Sequence, residues 1–212
     1  MIETIFFDLD GVIVDSEPVH AKAKKIILDT YSIEYPDSIF DDFIGQPDEV
    51  FFKHVHENLD NRQNPYKRLL QEKNNQFYDL IPEMKLVDGF SSFINDVKTR
   101  NIKTALVSST STFTFGLIDK HFHLSDLFEL LITEKDTERH KPFPDPYIKA
   151  LQLLPASVGS TVVIEDSPNG IKSAKEAGCK VIALTTSFDR GKLTEADEIM
   201  DSYNEIAEML FF

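Results

Sequence analysis

The chain has a single cysteine, Cys179, in 212 residues, which excludes an internal disulfide framework. Its neighbours Ala177 and Gly178 indicate tight packing, so the thiol reads as structural. A lone cysteine also fits a reducing compartment. Apolar runs approaching the roughly 20 residues that span a bilayer are absent. The N-terminal apolar stretch lacks a basic flank and a cleavage site and runs into aspartates. It reads as a buried strand and not as a secretory leader. Positive charge is scarce, with 22 Lys and Arg against 36 Asp and Glu, a formal net charge of -14. The resulting pI near 4.8 argues against nucleic acid and against anionic membranes as partners. Repeats and low-complexity segments are missing too. The expectation is a cytoplasmic globular protein, monomeric by default, large enough to bury a full core.

Short apolar, partly β-branched runs recur with helical patterns between them. Strands are expected at Ile2–Phe7, Lys103–Val107, Leu130–Thr133, Thr161–Ile164 and Lys180–Leu184. Phe90, Phe93, Ile94 and Val97 share one helical face, as do Ile171, Ala174 and Ala177, and so do Ile206, Met209 and Leu210. This alternation predicts an α/β fold, a Rossmann-like, mostly parallel sheet covered on both faces. From Ser16 to Ile81 the strand signals vanish. Helices are expected at Glu17–Ser32, Asp48–Leu59 and Pro65–Leu80, with a short one near Asp37–Ile44. The division is therefore a core of residues 1–15 and 82–212 with an inserted α-helical bundle cap of residues 16–81. Proline-marked linkers at Asp15–Pro18 and Ile81–Glu83 give that bundle the build of a lid.

Chemistry-bearing residues gather at the expected strand ends, where ligands of parallel sheets sit. The first strand breaks into Asp8-Leu9-Asp10-Gly11. Two carboxylates spaced i, i+2 fall on one face and repel each other unless a cation intervenes, which suggests a hard ion such as Mg2+. One carboxylate oxygen remains free to attack an electrophile. A plain solvated turn accounts for the same residues equally well. Val107-Ser108-Ser109-Thr110 offers hydroxyls and N–H groups to phosphate, although such a turn more often caps a helix. Lys141, followed by three prolines in Arg139–Tyr147, is a point charge suited to phosphate, or simply a surface lysine. Glu165-Asp166 ends another apolar run and is followed by Ser167 and Gly170, as metal ligands or as the start of a capped helix.

Taken in order, these segments resemble the four motifs of the haloacid dehalogenase superfamily. The stretch Glu165–Gly178 and the Asp15–His20 segment are similar to its helical-cap, β-phosphoglucomutase-like branch. The resemblance covers the whole chain. It implies that Asp8 is a nucleophile that becomes an aspartyl-phosphate, and Asp10 the general acid/base. Ser108 then binds the transferring phosphoryl group with the N–H groups of Leu9 and Ser109, and Lys141 neutralises its charge. It further implies Mg2+ held by Asp8, the Asp10 carbonyl and Asp166, with Glu165 a direct or water-mediated ligand. Asp10 sets the chain apart from the carbon-attacking dehalogenases, which lack this second aspartate.

A Mg2+-dependent phosphatase for a small phosphomonoester, a sugar phosphate or nucleotide, competes with a hexose-phosphate mutase and with a fold kept for binding alone. Intact Asp8 and Asp10 speak against the last. A mutase needs basic cap residues for a second phosphate. Yet Asp48 stands where the mutase's glycine loop carries arginine, and Asp79 falls on or next to its cap lysine. Thr110-Ser111-Thr112 replaces its Ser-Lys-Asn. Lys53 and Lys73 are the cap cations that could take over such a role. His20, Gly45 and Gln46 are the candidate cap contacts to substrate. His54 and His56 are expected at the surface, and Phe40, Phe43, Phe51 and Phe52 in the bundle core.

Overall fold

The computed structural model describes residues 2–44, 47–155 and 157–212. In chain order, β1 (Thr4–Phe7) is followed by the two-residue β2 (Val14–Asp15) and then four helices. These are α1 (Glu17–Thr30), α2 (Ile39–Asp42), α3 (Asp48–Asn58) and α4 (Tyr66–Leu80). Alternation begins after them with β3 (Lys85–Leu86), α5 (Phe90–Thr99), β4 (Lys103–Val107), α6 (Thr112–Phe122) and β5 (Leu130–Ile132). It continues with α7 (Asp145–Leu153), β6 (Thr161–Glu165), α8 (Pro168–Glu176), β7 (Lys180–Leu184), β8 (Glu198–Met200) and α9 (Tyr203–Phe211). Two compact units result, one of Met1–Asp15 with Lys85–Phe212 and one of Ser16–Met84.

The first unit is a parallel six-stranded sheet in the order β5-β4-β1-β6-β7-β8. The expected α/β architecture is thus present, with β1 at the position where the connections switch sides. Both faces of the central strands are buried, as their unbroken apolar runs require. Phe6, Ala105, Val107 and Val163 pack with Tyr147 and Ala150 of α7 and with Ile171 and Ala174 of α8. Phe7 points the other way and meets Phe90, Phe93 and Phe128 edge-on, while Tyr203 of α9 closes against Phe90 and Phe93. Burying each such ring contributes roughly 2–3 kcal/mol. Cys179 lies buried among the α8-side residues, a packing thiol as its neighbours imply.

Two features escaped the sequence pattern. Strand β8 has three residues and one strong β-former, Ile199, so it carries almost no periodic signal. The β2–β3 ladder pairs Val14 with Leu86 and Asp15 with Lys85, too short to be read from alternation. That ladder nevertheless brings the outgoing chain at Asp15 beside the returning chain at Lys85.

The second unit is a helical bundle. Ile27, Leu28, Phe51, Phe52, Val55 and Leu69 form its core, with Phe40 and Phe43 partly buried against them. A 3-10 turn over Ile81–Glu83 extends this unit past α4, and Met84 is buried behind it. His54 and His56 are half-buried and not at the surface: His54 rests on Phe43, and His56 Nδ1 lies 2.9 Å from the Asn64 carbonyl. The bundle also encloses charge. Lys73 is fully buried and donates to Asp48 Oδ2, while the buried Lys24 approaches Asp48 Oδ1 at 3.3 Å. His20 stacks on Phe77 with ring centres 4.1 Å apart, and its Nδ1 is 2.7 Å from Lys73 Nζ. Among the described residues, no helix is long and apolar enough to cross a membrane.

Candidate active site

The site is assembled at the carboxyl ends of β1, β4 and β6. Asp8 continues β1, its N–H donating to the Ile164 carbonyl at 3.1 Å, so the last sheet bond fixes where its side chain emerges. After Asp8 the chain turns sharply, with the N–H groups of Ile13 and Val14 both donating to the Leu9 carbonyl at 2.9 and 3.0 Å. Gly11 makes this turn possible. Its φ is +70°, and a Cβ there would lie 1.8 Å from Asp166 Oδ2. The Tyr203 phenol locks the turn from below by donating to the Val12 carbonyl at 2.8 Å.

Lys141 reaches the same volume. Its ammonium donates to Asp8 Oδ1 at 2.5 Å, to Glu165 Oε1 at 2.6 Å and to the Val107 carbonyl at 2.9 Å. Three acceptors consume its three protons, which rules out the surface reading of this lysine. Glu165 is wholly buried and accepts further bonds from Tyr147, the Asp166 N–H and Ser167. The helix behind it begins at once. Ser167 caps α8 by accepting from the Gly170 N–H at 3.1 Å, so the capping expectation for Ser167 holds. Gly170 leaves room for Glu165, whose Oε1 would stand 1.9 Å from a Cβ there.

Asp8, Glu165 and Asp166 are all buried, and each offers an oxygen within 4.8 Å of the others. Burial raises the Asp8 carboxyl from its ordinary 3.8 to about 7, against the pull of Lys141 and with the push of Glu165 and Asp10. Asp166 is raised well above the usual range by burial and by Asp8 and Glu165, against a hydrogen bond from Ser187. For Lys141, burial opposes the charge, but Asp8 and Glu165 outweigh it and hold the ammonium above its ordinary value. One lysine therefore serves a cluster of carboxylates. Such a cluster is stable in its ionised form only with further positive charge, so the donor set fits a hard divalent cation.

The Ser108 turn lies alongside. Ser108 is buried, its N–H donates to the Ile132 carbonyl at 2.9 Å, and its hydroxyl accepts from the Thr110 N–H at 3.0 Å. Ser109 accepts from the Lys141 N–H at 3.4 Å, and Ser111 caps α6. Asp10 is half-buried and accepts from the Thr110 hydroxyl at 2.8 Å. The first unit thus gathers Asp8, Leu9, Asp10, Ser108, Ser109, Lys141, Glu165 and Asp166. Gly45 and Gln46 lie outside the described residues, and His20 is engaged with Lys73 and Phe77 in the second unit. Sequence reasoning passed over Tyr147 and Ser187, and it offered Thr110 to phosphate and not to Asp10. Tyr147 stands in the quoted Arg139–Tyr147 stretch, but nothing in its spacing separates a carboxylate anchor from a core aromatic.

Parallel strands in this order, with acids, a lysine and hydroxyls converging at their carboxyl ends, define a Rossmann-like fold with a polar site at its strand ends. The profile of the haloacid dehalogenase-like hydrolases matches residues 5–184, and the chain belongs to that family. Among its relatives is the phosphorylated carbohydrates phosphatase of Thermotoga maritima, 27% identical and aligned over 97% of this chain and 100% of its own length. The validoxylamine A 7'-phosphate phosphatase of Streptomyces hygroscopicus subsp. limoneus is 28% identical over 97% of this chain and 96% of its own. The crystal structure of β-phosphoglucomutase from Clostridium difficile superposes with a TM-score of 0.74 at 26% identity, covering 97% of this chain and 93% of that one.

Proposed function

We propose that the protein is a Mg2+-dependent phosphatase that hydrolyses a small phosphomonoester, a sugar phosphate or nucleotide, through an aspartyl-phosphate on Asp8. The observation that carries this reading is Asp8 at the end of the central strand, bonded to Lys141 and within reach of Asp166. The related phosphatases of phosphorylated carbohydrates and of validoxylamine A 7'-phosphate support it.

In this reading Asp8, Asp166 and the Asp10 carbonyl hold the cation. Glu165, with both oxygens accepting hydrogen bonds, anchors Lys141 and would be a direct or water-mediated ligand. When bound, the cation supplies positive charge that keeps Asp8 ionised and offsets the spreading charge on the phosphoryl oxygens. Asp8 attacks phosphorus, the bond to the substrate oxygen breaks, and Asp10 delivers a proton to that leaving oxygen. Asp10 then takes a proton from water as the water attacks phosphorus. The Asp8–phosphorus linkage breaks, and phosphate leaves with Asp8 regenerated. Ser108 and the N–H groups of Leu9 and Ser109 hold the phosphoryl oxygens, and Lys141 neutralises them. The bundle of residues 16–81, inserted on two proline-marked linkers, has the build of a lid.

A mutase would need free cations in the bundle for a second phosphate. Lys73 and Lys24 are instead spent on Asp48, Lys53 pairs with Glu49 at 2.8 Å, and Asp79 is exposed. Hydrolysis is therefore the better reading, in a cytoplasmic monomer. Phosphate release from a panel of monoesters with Mg2+ tests it, together with acid-quenched mass spectrometry for a phosphoryl group on Asp8. Isomerised product without net phosphate release would point to the mutase, and undiminished hydrolysis by Asp8→Asn would overturn the nucleophile.

A further inference from the structure

Thr110 is held at three points. Its N–H donates to the Ser108 hydroxyl at 3.0 Å, and its carbonyl accepts from the Glu134 N–H at 3.2 Å. With both backbone groups tied, the side chain has little freedom to swing, and its hydroxyl donates to Asp10 Oδ2 at 2.8 Å. This bond joins residues a hundred positions apart, linking the turn after β1 to the turn after β4. The Asp10 backbone is fixed as well, because the next residue, Gly11, donates its N–H to the Val14 carbonyl at 2.8 Å.

We propose that Thr110 is a positioning residue for the acid/base Asp10, an inference that rests on the phosphatase reading above. An aspartate on a fixed backbone still rotates about χ1 and, more softly, about χ2. Committing Oδ2 to Thr110 stops that rotation and leaves Oδ1 to carry the proton. A hydroxyl donor suits the task, because Oδ2 accepts from it whether Asp10 is ionised or protonated at Oδ1. The contact therefore survives both halves of the reaction, with no need for Thr110 to exchange a proton. Valine matches threonine in shape and lacks the donor, while serine keeps the donor without the methyl group.

The test compares kcat/KM for benzyl phosphate and p-nitrophenyl phosphate. Benzyl alkoxide leaves only with a proton from the acid, whereas p-nitrophenolate leaves without one. Thr110→Val should lower kcat/KM on benzyl phosphate by about tenfold or more, a fraction of what general acid catalysis supplies. On p-nitrophenyl phosphate it should fall by less than about threefold, and Thr110→Ser should restore the benzyl ester rate. In an Asp10→Asn background, Thr110→Val should cost nothing further. Equal losses on both esters, no loss on either, or failure of serine to rescue would overturn the assignment. A crystal structure of Thr110→Val in which Asp10 keeps its rotamer would overturn it independently of activity. A parent enzyme that releases phosphate from no monoester would instead sink the phosphatase reading.

Discussion

The phenol of Tyr147 donates to Glu165 Oε1 at 2.7 Å, the same oxygen that accepts from Lys141 at 2.6 Å. Tyr147 is buried and stacks on Phe6 at 6.5 Å, so its ring is packed independently of its hydroxyl. Tyr147→Phe removes one charged-acceptor bond and little else. The expected cost is about 1.5–3 kcal/mol of stability, read from urea unfolding. Turnover should fall several-fold, since Glu165 then holds Lys141 with one restraint fewer. Lys141→Ala should do far more, about a hundredfold or greater in kcat, because the phosphoryl charge loses its fixed partner.

Two glycines allow the acids to converge. A methyl group on Gly170 would stand 1.9 Å from Glu165 Oε1, and the backbone there is ordinary helix. Gly170→Ala should therefore displace the Glu165 carboxylate while leaving α8 intact. At Gly11 the penalty is double, with φ of +70° and Asp166 Oδ2 at 1.8 Å from the added atom. Gly11→Ala should weaken Mg2+ binding more than Gly170→Ala does, because Asp166 is the displaced ligand. Isothermal titration of Mg2+ into each variant checks the order.

The buried acids also set a pH dependence. Asp8 titrates near 3.8 when exposed and at about 7 in the folded protein, and Asp166 shifts the same way. The metal-free fold therefore holds more protons than the unfolded chain between these values. Its stability is full below pH 3.8 as far as Asp8 is concerned, and is lost as pH rises through 7. Metal binding needs the ionised carboxylates, so added Mg2+ should raise the melting temperature more at about pH 8 than at about pH 5. An equal rise at both would place the cation away from these acids. Chelation at the higher pH should reverse the gain.

Much of this site is local in sequence, which is why it could be read. Asp8 and Asp10 follow an unbroken apolar strand, and Glu165 and Asp166 follow another, so strand ends announced them. Tyr147 carries no such mark, and Thr110 and Ser187, although they follow strand ends, have no spacing that ties them to Asp10 and Asp166. Their contacts to Glu165, Asp166 and Asp10 come from how α7 and the strand-end loops pack, and identical residues elsewhere serve as core or turn. The same limit applied to β8, where three residues hold too few side chains to show a period. Asp48 is the sharpest case. On the sequence it is a missing arginine, whereas in the fold it is the counterion of two buried lysines.

That role gives the last prediction. Lys73 has no exposed side-chain surface and Lys24 has 4%, and both ammonium groups converge on an Asp48 side chain that is 21% exposed. Burial works against the Asp48 charge, but Lys73, His20 and Lys24 overcome it and hold the carboxyl below its ordinary range. Removing one partner of such a pair leaves charge without compensation and costs about 3–5 kcal/mol. Asp48→Asn should accordingly destabilise the helical unit by that order, reduced somewhat because water reaches Asp48. Lys73→Met added to Asp48→Asn should recover part of the loss, since an apolar chain fits the space that Lys73 occupies. Hydrogen exchange of the α1, α3 and α4 amides, compared with those of β1 and β6, checks that the damage stays within this unit. If Asp48→Asn matched the parent protein in exchange and melting, the pairing would contribute nothing to the fold, and the two lysines would be free to serve a ligand.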